Sequence, residues 1–164
     1  MAGQGDRIRT GLVLDPPPQV LLVVAPYYAE IAAALDAGAR AMLARTGARV
    51  DRIDVPGALE IPGAIALAAR HYEGFVALGC VIRGETSHYD IVAGESARGL
   101  MELTLRGLAI GNGILTVDNP DQAMRRARDQ DKGGDAAAAA LQLIALARRF
   151  GAPRIPAGGA EPAP

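Results

Sequence analysis

The feature that most limits what this chain can fold into is an alternation. Short, uninterrupted aliphatic runs are each followed by a longer segment whose apolar residues recur at helical spacing. Residues 20–25 form the first such run, which breaks at Pro26. A strand carries apolar side chains at every position when both its faces are covered, and repeated switching between the two patterns marks βα units around a parallel sheet. Ile31, Leu35, Ala39 and Met42 mark a first helix reaching to about Thr46. Val50, Ile53 and Val55 predict a second strand stopped at Pro56 and Gly57, then a helix over about 59–71. Residues 75–82 are the strongest strand, followed by a helical segment over about 89–106. A fourth strand is expected at 110–117, after which Asn119, Pro120 and Gln122 supply a cap, a first-turn proline and an N3 glutamine. Gly133 and Gly134 are expected to separate that helix from a last one, 135–150, with Leu141, Ile144 and Ala145 as its buried stripe.

The ends differ from this body. Residues 1–18 are polar and close on Pro16, Pro17 and Pro18, which predicts a flexible N-terminal segment. Residues 152–164 are mostly Pro, Gly and Ala, which predicts a disordered tail and leaves 19–151 as one folded domain. That body is long enough to bury a core without staples. With 50% hydrophobic residues, 4% aromatic and no tryptophan, the core must be aliphatic. Seventeen basic against eighteen acidic residues leave a formal charge of -1, which gives no electrostatic reason to bind nucleic acid or an anionic membrane. No apolar run approaches the roughly 18 residues of a membrane span. Cys80 is the only cysteine and there are two histidines, so neither an intrachain disulfide nor a cysteine-cluster metal site is expected, and a reducing cytoplasm fits.

In an open parallel sheet, ligands sit off the carboxyl ends of the strands. The loop after the third predicted strand holds Gly84, Glu85, Thr86 and Ser87 at a helix entry, where free N–H groups and hydroxyls suit an anion, phosphate above all. Thr86 or Ser87 is expected to cap that helix, with Asp90 in its first turn. His88 stands beside them and is a candidate general acid or base near neutral pH. The same residues also fit a capped helix with a surface histidine. Glu60 is either a ligand-binding carboxylate or a first-turn residue satisfying the helix dipole. Tyr27 and Tyr28 supply either a stacking surface for a heterocycle or rim packing. Arg125, Arg126, Arg128 and Lys132 form either a solvated face or, through one guanidinium, the complement of the anion site. Cys80, inside the strongest strand, fits a small buried hydrophobe.

Four segments carry a resemblance: Val55-Pro-Gly-Ala-Leu-Glu-Ile-Pro62, Ala77-Leu-Gly-Cys-Val-Ile-Arg-Gly-Glu-Thr-Ser-His-Tyr-Asp90, Gly113-Ile-Leu-Thr116 and Asp131-Lys-Gly133. Together they resemble the 6,7-dimethyl-8-ribityllumazine synthases of riboflavin biosynthesis, collinearly over about 19–151. The resemblance implies a flavodoxin-like three-layer α/β/α fold on a four-stranded parallel sheet. It also implies a homopentamer with active sites between subunits, which in the family can stack into decamers or close into shells. The implied reaction condenses 5-amino-6-(D-ribitylamino)uracil with 3,4-dihydroxy-2-butanone 4-phosphate, without metal or cofactor.

By the same resemblance, His88 is the proton-transfer residue and Gly84, Glu85 and Thr86 hold the phosphate, helped by Arg126 of the neighbouring subunit. Tyr27 stacks on the pyrimidine, Glu60 with the backbone of Ala58 and Leu59 meets the ribityl chain, Val81 and Ile82 meet the heterocycle, and Lys132 stands at the far edge. There are departures. Pro26, Tyr27 and Tyr28 replace the family's Arg-Phe-Asn, keeping a ring and losing two polar contacts. Asn112 replaces a phenylalanine that closes the site from the next subunit. The linker Arg128-Asp-Gln-Asp-Lys-Gly-Gly134 is shorter than usual, which favours a free pentamer over a shell. An alternative that the departures motivate is a catalytically weak paralogue serving as a flavin- or lumazine-binding scaffold.

Overall fold

The computed structural model describes residues 12–151, and the expectations for 1–11 and 152–164 lie outside the described residues. The chain runs β1 Gln19–Val24, α1 Ala29–Ala44, β2 Arg49–Asp54, α2 Glu60–Ala68, β3 Gly74–Ile82, α3 His88–Leu105, β4 Ala109–Val117, α4 Pro120–Met124, a π-helical turn Arg125–Asp129, and α5 Lys132–Phe150. Its four strands form one sheet in the order β2-β1-β3-β4, parallel throughout. Because successive side chains of β1 point to opposite faces, that one strand feeds two cores. Val20, Leu22 and Val24 pack with Leu35 and Leu43 of α1 and Leu141 and Ile144 of α5. Leu21 and Val23 pack with Phe75 of β3, Ile61 and Ile65 of α2 and Leu100 of α3. The result is the expected flavodoxin-like three-layer arrangement, with the aliphatic core that the composition requires.

β2 is the exception to the buried-strand pattern. Five of its six residues are exposed, which suits its place at the sheet edge. Arg52 on it pairs with Asp54 at 2.7 Å and reaches Asp36 of α1 at 3.3 Å, so this edge is blunted by charge. Before β1, Leu14 is buried in the larger core and the Pro18 carbonyl accepts from the Arg49 N–H at 2.9 Å.

Two expectations about the C-terminal third need correction. Gly133 and Gly134 do not separate the last helices, because α5 begins at Lys132 and both glycines lie in its first turn, buried. Close approach explains them: a Cβ on Gly133 would fall on the carbonyl of Leu35 in α1. Asp131 caps α5 instead, accepting from the Gly134 N–H at 3.0 Å with φ at 47°. The fourth helix, well capped as expected by Asn119 accepting from Gln122 N–H at 2.9 Å, does not simply end. It widens into the π-helical turn, closed by a 3.0 Å bond from Gln130 N–H to the Arg125 carbonyl. No helix among the described residues is long and apolar enough to cross a membrane.

Candidate active site

The carboxyl ends of β1 and β3 and the loop after β2 surround a cleft of about 440 Å³. From the first loop come Tyr27 and Tyr28, ring centroids 5.0 Å apart and nearly perpendicular. That edge-on contact props Tyr27 up with 76% of its surface exposed, while Pro26 before it fixes the backbone. From the second loop come Ala58, Leu59 and Glu60. Glu60 is the first residue of α2, where the helix dipole favours its carboxylate. Gly57 leaves that carboxylate room, since a Cβ there would come within 3.1 Å of Glu60 Oε2. Among the described residues Glu60 has no ion-pair partner, so its oxygens are open to donors such as hydroxyls.

The third wall is the end of β3, with Cys80, Val81 and Ile82, and the loop beyond it with Gly84, Thr86 and His88. A Cβ on Gly84 would meet nothing within 4 Å, so space lies open over its backbone. α3 starts at His88, and the positive end of its dipole gives this end of the loop a positive potential. The capping expectation holds only in part. Ser87 makes no side-chain cap bond, the Thr86 hydroxyl accepts from the His88 N–H at 3.4 Å, and Asp90 is drawn to Arg83. Burial pushes the Cys80 thiol up to about 11, so at neutral pH it is a small apolar wall and not a nucleophile. Tyr28 is also raised, first by burial and then by Tyr27 and Cys80.

A second cleft of about 430 Å³ opens along β4 and the start of α5. Asn112, Arg126 and Lys132 line it, together with Asp135, and it shares no lining residue with the first. The Asn112 Oδ1 accepts from Ile114 N–H at 2.9 Å, which occupies the amide oxygen and leaves its NH₂ to donate. Lys132 bonds Asp135 at 2.9 Å. Arg126 sits in the π-helical turn, exposed, and has no ion-pair partner among the described residues. Of the residues singled out from sequence, the first cleft therefore gathers Tyr27, Tyr28, Ala58, Leu59, Glu60, Cys80, Val81, Ile82, Gly84, Thr86 and His88, and the second gathers Asn112, Arg126 and Lys132. Glu85 is exposed on the loop and lines neither cleft. Among the described residues no three His, Cys, Asp or Glu side chains come together as a metal site would need.

The sequence reading missed Val92 and Tyr89, which join His88 along the cleft wall. The signal for Val92 was available, because it lies four positions after His88 and three after Tyr89, spacings that share a helix face.

Comparison with known proteins puts names beside this geometry. A family model described as 6,7-dimethyl-8-ribityllumazine synthase matches residues 17–148. Proteins of that name are similar to this chain: one from Novosphingobium aromaticivorans is 59% identical over 134 residues, covering 79% of this chain and 96% of that protein. Another, from Erythrobacter litoralis, is 56% identical over 136 residues, covering 80% and 97%. A third, from Bartonella tribocorum, is 57% identical over 140 residues, covering 82% and 93%.

Proposed function

The chain belongs to the 6,7-dimethyl-8-ribityllumazine synthase family, and from that premise we propose how its own residues carry the reaction. It is an enzyme of riboflavin biosynthesis, a transferase that condenses 5-amino-6-(D-ribitylamino)uracil with 3,4-dihydroxy-2-butanone 4-phosphate, releasing 6,7-dimethyl-8-ribityllumazine, phosphate and water. The observation that carries the residue assignments is the gathering of Tyr27, Glu60, Thr86 and His88 in one cleft.

In this reading Tyr27 stacks on the pyrimidine, with the backbone of Val81 and Ile82 along its edge. Glu60, with Ala58 and Leu59, takes the ribityl hydroxyls. The phosphate lies on the Gly84, Glu85 and Thr86 loop, where helix N–H groups and an adjacent guanidinium favour an anion. Holding the two substrates in line is the largest contribution, since orientation alone can be worth about 7–11 kcal/mol in the best cases. His88 moves protons as the amine adds to the ketone and as phosphate leaves, a contribution of about 10²- to 10⁴-fold.

Arg126, Lys132 and Asn112 serve the site of a neighbouring copy. The two clefts have different linings, so a contact that joins one to the other is head-to-tail, and such contacts give a ring when the rotation between copies closes. A pentamer is the ring that the resemblance implies, and the short linker before α5 favours a free one. The single cysteine supports a cytoplasmic place for the enzyme.

The test is to mix purified protein with both substrates and follow the fluorescent lumazine above its spontaneous formation. A rate proportional to protein concentration is the expected result. A folded preparation that binds the product without accelerating its formation would overturn the catalytic assignments.

A further inference from the structure

Arg83 lines neither cleft, yet its side chain ties together three parts of the frame around the phosphate loop. Its backbone N–H donates to the Val117 carbonyl at 2.9 Å, extending the β3–β4 pairing one residue beyond the strand. Its guanidinium carbon lies 4.1 Å from the centroid of the Tyr89 ring. Nη1 is 3.4 Å from Asp90 Oδ1, and Nε is 3.5 Å from Asp118 Oδ1. Tyr89 and Asp90 belong to the first turn of α3, so the side chain bridges the two ends of the loop 84–87.

Little else fixes that loop. Among the described residues its own bonds are the 3.4 Å contact of His88 N–H with the Thr86 hydroxyl and the bonds of Asp90 and Ile91 N–H to the Ser87 carbonyl. Asp118 leads into the cap of α4, and its N–H donates to Gln122 Oε1 at 2.9 Å. The same guanidinium thus joins the loop to the base of the helix that continues into Arg126. Exposed ion pairs of this length add little to global stability, so a side chain held by two of them and a ring face contributes mainly by fixing geometry.

We propose that Arg83 is a positioning residue for the phosphate-bearing substrate, acting through the loop 84–87 that it bridges. The inference rests on the placement of the phosphate given under Proposed function. Arg83 does not touch the substrate. It holds the Gly84 and Thr86 donors at the spacing a phosphate needs, and a misplacement of such donors weakens binding of that one substrate.

The experiment measures KM for each substrate, and inhibition by inorganic phosphate, in Arg83→Ala, Arg83→Lys, Asp118→Asn and, as controls, Thr86→Ala and Arg126→Ala. Arg83→Ala is expected to raise KM for the butanone phosphate and Ki for phosphate by about tenfold, with KM for the ribitylaminouracil changed by less than about twofold. Asp118→Asn is expected to raise the same two constants by about threefold. Arg83→Lys, a point charge without a planar face, is expected to recover less than half of the loss on a logarithmic scale. Full recovery by lysine, or equal damage to both substrates with a lower melting midpoint, would overturn the positioning role. If the two controls raise KM and Arg83→Ala does not, the inference falls and the phosphate placement stands. If none of the three alanine variants moves it, the placement itself falls and this inference with it.

Discussion

At the scale of single residues, the proposed roles separate into groups that act and groups that line. His88 opens α3 and lines the first cleft, the one histidine among that cleft's lining residues. Replacing it with alanine should lower kcat by about 10²-fold, leaving activity measurable because substrate alignment survives. Steady-state kinetics check this, and a kcat within about threefold of the parent would remove His88 from proton transfer. Cys80 is a lining group with a titration of its own. Burial pushes its thiol up to about 11 from an ordinary 9.0, so between those values the folded chain holds a proton that the unfolded chain has released. Stability then falls as pH rises through that window. Chemical denaturation between pH 8 and pH 11 should show the decline, and Cys80→Ala should lessen it, leaving the share that the raised Tyr28 contributes. His88, Glu60 and Tyr27 were legible from sequence because post-strand loops are where polar and aromatic residues need a reason. Arg83 was not legible, since its partners Asp90 and Asp118 come from two further elements.

Elements were legible wherever the hydrophobic period was clean. β1 and β3 stood out because burial on both faces leaves no polar interruption, and α4 because Asn119, Pro120 and Gln122 each have one local use. The start of α5 was misjudged for a physical reason: consecutive glycines look like a break, yet here Gly133 leaves space for another backbone and Gly134 leaves space for the capping side chain of Asp131. Gly133 accommodates the Leu35 carbonyl of α1, and Gly111 of β4 accommodates the carbonyl of Ala136 in α5. Neither partner is the flexible end of a side chain, so neither can give way cheaply. Gly111→Ala should therefore cost about 2–4 kcal/mol. A urea midpoint that falls without a change in slope is the measurement, and an unchanged midpoint would mean that α5 can ride outward from the sheet.

For the whole molecule, the fold class followed from the alternation of periods, while the proposed division of the site between copies came only with the family resemblance. The resemblance puts Arg126 and the residue at 112 on a neighbouring copy, and the disjoint linings of the two clefts agree with the division proposed above. Subunit mixing tests that division. A chain with His88→Ala keeps its Arg126, and a chain with Arg126→Ala keeps its His88. Refolded together at equal amounts, they should form intact pairs at about a quarter of the contacts in a ring. Activity at low butanone phosphate should then exceed the mean of the two separately refolded variants, whereas a value equal to that mean would place each whole site within one chain.

The aromatic economy of the chain has an optical consequence. The protein contains no tryptophan and four tyrosines, and three of those, Tyr27, Tyr28 and Tyr89, line the first cleft. Its ultraviolet emission therefore originates mostly within a few side chains of any bound ring, with no indole to mask it. A heterocycle laid against Tyr27 should quench that emission directly, so the unlabelled protein reports its own occupancy as ligand is titrated in.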